Sequence, residues 1–100
     1  MLYETDKYYI PNKYRAVVLP IVWREEFNIQ VQDMVLVGRK ENALIISAEC
    51  IFKSNCSKAV KVGKKGVVKI PKELDEQLES DYYKLFVDPQ NRCFHILSVA

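Results

Sequence analysis

No basic stretch followed by an apolar run opens this sequence. Residues 1–7 are mixed polar and aromatic, so no secretory signal is expected. Nor does any segment approach the ~20 consecutive apolar residues of a membrane span. Cysteine is sparse and odd in number, with Cys50, Cys56 and Cys93. Without a secretory signal these thiols are expected to stay reduced in a cytoplasmic protein. Five residues separate Cys50 from Cys56, which is not the CxxC spacing of a metal knuckle, so neither a metal nor another cofactor is expected. His95 is the one histidine, and no Ser-His-Asp set surrounds it. A phosphate-cradling GxxxxGK[ST] motif and a metal-spaced carboxylate cluster are also missing, so the sequence does not read as an enzyme.

What is present suffices for one domain spanning residues 1–100. The chain has 100 residues, 49% of them hydrophobic and 28% charged. A chain of this size buries roughly 60 to 68% of its unfolded surface and needs no disulfide or metal to fold. Net charge is +2, yet its distribution is uneven. Residues 1–52 carry a balance of −1 and residues 53–100 a balance of +3. Lysines stand at positions 58, 61, 64, 65, 69 and 72, with no acid between them.

Sliding the sequence against itself shows an internal repeat. The run Tyr14-Arg15-Ala16-Val17-Val18-Leu19-Pro20 falls on Lys65-Gly66-Val67-Val68-Lys69-Ile70-Pro71, an offset of 51 residues. The same offset pairs Lys13 with Lys64, Trp23 with Leu74 and Phe27 with Leu78, and runs on to place Ile45 on Ile96 and Ser47 on Ser98. The copies span about 7–48 and 58–99, with 49–57 as the linker. Each begins with a β-rich segment, at 7–10 and 59–62, followed by a polar turn and a Val/Ile-rich run ending at proline. Proline suits the first turn of a helix, where its missing N–H has no partner. Trp23 and Phe27, and again Leu74 and Leu78, lie four apart on what becomes the buried face of a helix of about two turns. Each copy closes with a hairpin, turning at 38–42 and at 88–92. Tyr3, Tyr8, Tyr9, Tyr82 and Tyr83 are expected as half-buried strand residues, and His95 as an ordinary strand residue beside Cys93.

A unit of about 45 residues has too little core to stand alone, and its strand edges invite pairing. The two copies are therefore expected to embrace in one mainly β domain with two short helices.

The apolar-apolar-Pro run, short helix and polar hairpin resemble the SpoVT/AbrB-like swapped-hairpin barrel family, in its tandem-repeat, MraZ-like form. The resemblance rests on residues 17–29 and 66–78 and covers nearly the whole chain. It implies a pseudo-two-fold swapped-hairpin β-barrel and a DNA-binding transcriptional regulator. It also implies that the turn before each Pro-terminated run, and the start of the helix, face DNA. Four residues before the proline, where the family usually carries arginine, this chain has Ala16 and Val67. The basic residues nearby are Lys13, Arg15 and Arg24 in the first copy and Lys64, Lys65 and Lys69 in the second. These six are the expected DNA-binding residues. Lysine neutralises a phosphate, whereas the arginine fork suits a guanine edge. Double-stranded DNA and a second copy of the chain, as a homodimer or larger oligomer, are the expected partners; a membrane is not. The alternative is a protein-interaction or antitoxin-like module that kept the barrel and lost DNA binding.

Overall fold

Alternating apolar residues and paired prolines divide the chain into eight strands and two short helices in a computed structural model describing residues 2–40, 43–48 and 57–99. The linker expected at 49–57 lies outside these residues apart from Ser57, as do Cys50 and Cys56. The order is β1 (Tyr3–Tyr9), β2 (Ala16–Val18), α1 (Ile21–Glu26), β3 (Met34–Lys40) and β4 (Ala43–Ser47) in the first copy. In the second it is β5 (Ser57–Lys61), β6 (Val67–Lys69), α2 (Lys72–Asp75), β7 (Tyr83–Asp88) and β8 (Cys93–Ser98). Pro20 and Pro71 precede the helices in extended conformation, and Asn28 at φ 57° follows the end of α1. Both helices are short, α2 being a single turn of four residues.

Six strands form an antiparallel sheet in the order β1-β7-β8-β4-β3-β5. Each copy thus lends its first strand to the other's hairpin: β1 pairs with β7, and β5 with β3. The central seam joins the last strands, β4 and β8. β2 and β6 pair with each other as a separate ribbon, with Val17 opposite Val68. The six-stranded sheet ends at β1 and β5 and is not closed into a barrel. β2 and β6 lie between these two ends, β2 beside β1 and β6 beside β5, without joining either ladder; each is three residues long, bounded by a left-handed residue (Arg15, φ 48°; Gly66, φ 84°) before it and a proline shortly after it.

One core fills the space between sheet and ribbon, with extents of 31 × 29 × 27 Å for the whole fold. Val17, Leu19, Val68 and Ile70 enter it from the ribbon, and Val35, Val37, Leu44, Ile46, Leu85, Val87, Phe94 and Ile96 from the sheet. Phe27 meets Phe94 edge-on at 5.4 Å, tying α1 to the second copy's last strand. Trp23 packs against the core edge and stacks on Tyr3 at 6.0 Å. Of the five tyrosines expected as half-buried strand residues, none is half-buried: Tyr9 and Tyr83 are fully buried, Tyr3 and Tyr8 are exposed, and Tyr82 is exposed just before β7.

The hairpins depart from the 51-residue register. By burial, Leu44 and Ile46 correspond to Phe94 and Ile96, an offset of 50, whereas the sequence match set Ile45 on Ile96. A one-residue slip moves a side chain to the other face of a strand, so core-facing alternation fixes the register that similarity left off by one.

Candidate nucleic-acid interface

The ribbon and its two flanking turns bring most of the expected basic residues together. β2 follows the turn at 12–15, and β6 follows the 3-10 turn Lys64–Gly66. Two backbone bonds extend the ribbon symmetrically: Leu19 N–H donates to Gly66 O at 2.9 Å, and Ile70 N–H to Arg15 O at 2.6 Å. The turns therefore sit at opposite ends of the ribbon. Four strand steps separate these rungs, which at ~3.3 Å per residue is about 13 Å. Asn12, Arg15 and Lys65 all adopt positive φ, so both turns reverse tightly and present their side chains outward.

Val17 and Val68 point into the core, leaving Ala16, Val18, Val67 and Lys69 on the ribbon's outer side. Lys13, Arg15, Lys64, Lys65 and Lys69 are all exposed. Among the described residues none of these five enters an ion pair; the pairs formed are Lys72–Glu76, Lys84–Glu4 and His95–Asp88. Residues 12–18 and 63–69 contain no acid. Lys13 Nζ lies 5.9 Å from the ring of Tyr14, which is 77% exposed. Between β5 and β6 an open hollow of about 550 Å³ is lined by Lys61, Lys64 and Lys69 together with Gly63 and Val67. Lys61 thus joins the group that sequence reasoning selected.

Arg24 does not lie on this face. Its side chain is buried, and its Nε–H donates to Leu19 O at 2.9 Å. The guanidinium packs over Gly66 so closely that a Cβ there would stand 2.8 Å from Cζ. The residue 51 positions later is Asp75, which performs the converse reach into the first copy's turn. Asp75 is 1% exposed; Oδ1 accepts the hydroxyl of Tyr9, and Oδ2 accepts the Asn12 N–H at 3.1 Å. Burial, and then the Asp75 hydrogen bond and charge, push the Tyr9 phenol far above its ordinary value, with the Arg15 charge opposing. One helix position thus meets the opposite copy's turn in both halves, with opposite charge: Arg24 by packing over Gly66, and Asp75 by hydrogen bonds from Tyr9 and Asn12. Arg24 was expected on the DNA-binding face, because helical spacing does not reveal what covers the start of a helix.

A second cluster lies on the sheet surface away from the core. Cys93 and His95 alternate on one face of β8, and Asp88 sits opposite Cys93 across the β7–β8 ladder. Cys93 Sγ is 3.5 Å from His95 Nε2, which is also 3.4 Å from Asp88 Oδ2. Burial raises the Cys93 thiol to about 11. Burial lowers His95 against the opposing pull of Asp88, so the imidazole is neutral at pH 7 and meets Asp88 as a hydrogen-bond partner. Burial alone would raise Asp88, but hydrogen bonds from the side chain and backbone of Asn91, with the facing His95, bring it below its ordinary value. A nucleophile-base-orienter triad needs the thiol and the carboxylate on different ring nitrogens. Here both meet Nε2, and the thiol is held protonated.

No family model, curated protein or solved structure matches the chain. Among the described residues, no helix is long and apolar enough to cross a membrane.

Proposed function

We propose that this protein is a regulator that binds double-stranded DNA through the outer side of the β2–β6 ribbon and its two basic turns. The observation that carries the reading is that Lys13, Arg15, Lys64, Lys65 and Lys69 stand exposed and outside any ion pair of the described residues, on a ribbon and turns whose own segments 12–18 and 63–69 contain no acid. Uncommitted cations on one strip are what phosphate neutralisation requires. The ribbon also suits the duplex in shape, since a major groove ~12 Å wide admits a two-stranded β-ribbon. Its outer side is mostly small, at Ala16, Val18 and Val67, so backbone can approach the groove floor. Lys64 and Lys65 grip phosphate. Arg15 is the residue equipped to read a guanine edge.

The same reading extends to the architecture. Exchange of β1 and β5 between the copies, with a β2–β6 ribbon across the pseudo-two-fold, is the connectivity a swapped-hairpin barrel in one chain would need. A cytoplasmic location accords with this role.

Binding to a random-sequence duplex, measured by fluorescence anisotropy over a range of salt, tests the proposal. Four phosphate contacts, or five if Arg15 also meets a phosphate, give a slope of log affinity against log salt of about −4 to −5. Lys64→Ala with Lys65→Ala should flatten it by about two units and weaken all sequences equally. An unchanged slope in that variant rejects this face, and no binding at low salt rejects the function.

A second reading is favoured by exposed apolar residues on α1. Ile21 is 59% and Val22 69% exposed, which suits a protein contact, the first candidate being a second copy of the chain. Sedimentation at high micromolar concentration should show a dimer or larger oligomer, lost on Val22→Lys.

A further inference from the structure

We propose that Asp88, Cys93 and His95 form a binding site for a single divalent transition-metal ion of the zinc class. The ligand set spans one hairpin in the pattern Asp-x4-Cys-x-His, and the ligand atoms all lie within 4.8 Å of one another. The two separations to the shared His95 Nε2 match the edges of a coordination tetrahedron, and the third, from Sγ to the carboxylate, lies within 4.8 Å and must contract toward about 3.6 Å when both atoms bond one ion. With metal–sulfur bonds of about 2.3 Å, metal–nitrogen bonds of about 2.0–2.1 Å and metal–oxygen bonds of about 2.0–2.2 Å, tetrahedral edges come to about 3.5 Å for S···N and about 3.4 Å for N···O. The observed Sγ···Nε2 and Nε2···Oδ2 separations are 3.5 and 3.4 Å. That both partners converge on one ring nitrogen defeats a catalytic triad, but it is the arrangement a shared central ion demands.

The surroundings agree. Asn91 donates from Nδ2 to Asp88 Oδ2 at 2.8 Å and from its backbone N–H to Oδ1 at 3.3 Å, fixing the carboxylate as an outer-shell partner does. A hollow of about 220 Å³, lined also by Lys40 and Ile45, opens onto the three ligands and leaves room for a water as fourth ligand. Thiolate and carboxylate together neutralise a divalent ion, which suits side chains 10 to 20% exposed at Asp88 and His95. One sulfur and one imidazole select zinc or cobalt over magnesium or calcium. On binding, the Cys93 thiol releases its proton to solvent as the Sγ–metal bond forms.

Cobalt(II) titration of the full chain tests the site, in a Cys50→Ser, Cys56→Ser background that leaves Cys93 as the one thiol. One equivalent should bind, with a thiolate-to-cobalt charge-transfer band, d–d bands of four-coordinate intensity and one proton released per ion. Zinc should displace the cobalt. Cys93→Ser should abolish the charge-transfer band. His95→Gln should weaken binding at least about 100-fold, the upper end of what losing an outer-shell partner costs. Circular dichroism establishes that each variant is folded; if one is not, the His95 imidazole resonances of the Cys50→Ser, Cys56→Ser protein on zinc addition decide. Absence of a charge-transfer band, its survival in folded Cys93→Ser, or imidazole resonances unmoved by zinc would overturn the proposal.

Discussion

Tyr9→Phe removes one oxygen from the centre of the inter-copy contact and isolates the worth of the buried carboxylate. Tyr9 and Asp75 are each 1% exposed, so no solvent replaces the lost donor. In the native fold Asp75 holds the Tyr9 hydroxyl and the Asn12 N–H, the latter at 3.1 Å from Oδ2 and 3.3 Å from Oδ1. After the substitution a buried carboxylate keeps only its backbone donor. Hydrogen bonds to charged groups contribute about 1.5–3 kcal/mol, so the expected loss is about 2 kcal/mol. For a domain of this length each kcal/mol lowers Tm by about 4–8 °C, giving a drop of about 8–16 °C. Urea unfolding should show a lower midpoint with an unchanged slope, because the surface exposed on unfolding stays the same. In an Asp75→Ala background the hydroxyl has no acceptor to lose, and Tyr9→Phe should then cost little. A double-mutant cycle should give a coupling of about 1.5–2 kcal/mol. A Tyr9→Phe cost below about 0.5 kcal/mol, or an equal cost with and without Asp75, would refute the clamp.

Gly66→Ala should destabilise by about 2–3 kcal/mol, because φ is +84° and a Cβ would meet Arg24 and stand 2.8 Å from Leu19 O. Gly63→Ala, with its nearest contact at 3.4 Å and an ordinary φ, should cost under about 1 kcal/mol in the same chemical denaturation. Arg24→Ala should lower Tm while leaving the salt slope of DNA binding within error, the reverse of the Lys64 and Lys65 pair; a slope change at Arg24 would return it to the binding face. The Tyr9 phenol is raised in the fold, so its contribution is fully present below the unfolded value near 10 and is lost as pH climbs above it. Ultraviolet difference titration against Tyr9→Phe should show the Tyr9 phenol ionising only together with cooperative alkaline unfolding; a Tyr9 signal that precedes unfolding would contradict this.

Much of the architecture was legible in the sequence because it depends on local periodicity. Alternation marks strands, and Pro20 and Pro71 mark the switch to helices. The repeated run 14–20 on 65–71 located the ribbon strands that pair across the pseudo-axis. Of the candidate DNA-binding residues, Lys13, Arg15, Lys64, Lys65 and Lys69 are exposed as expected, since turn and edge lysines have nothing nearby to bury them. Other features belonged to tertiary structure. Arg24 and Asp75 look like surface charges on short helices, and became buried because the opposite copy's turn folds over each one. Asp88, Cys93 and His95 are separated by a turn, and converge only when the β7–β8 register sets Asp88 opposite Cys93. Which copy lends its first strand to which hairpin also lay beyond local signals. Periodicity fixes the face of a strand relative to its own neighbours in sequence, whereas the partner across each ladder outside the hairpins, and the cover over each charge, are set by contacts between residues 19 to 84 positions apart.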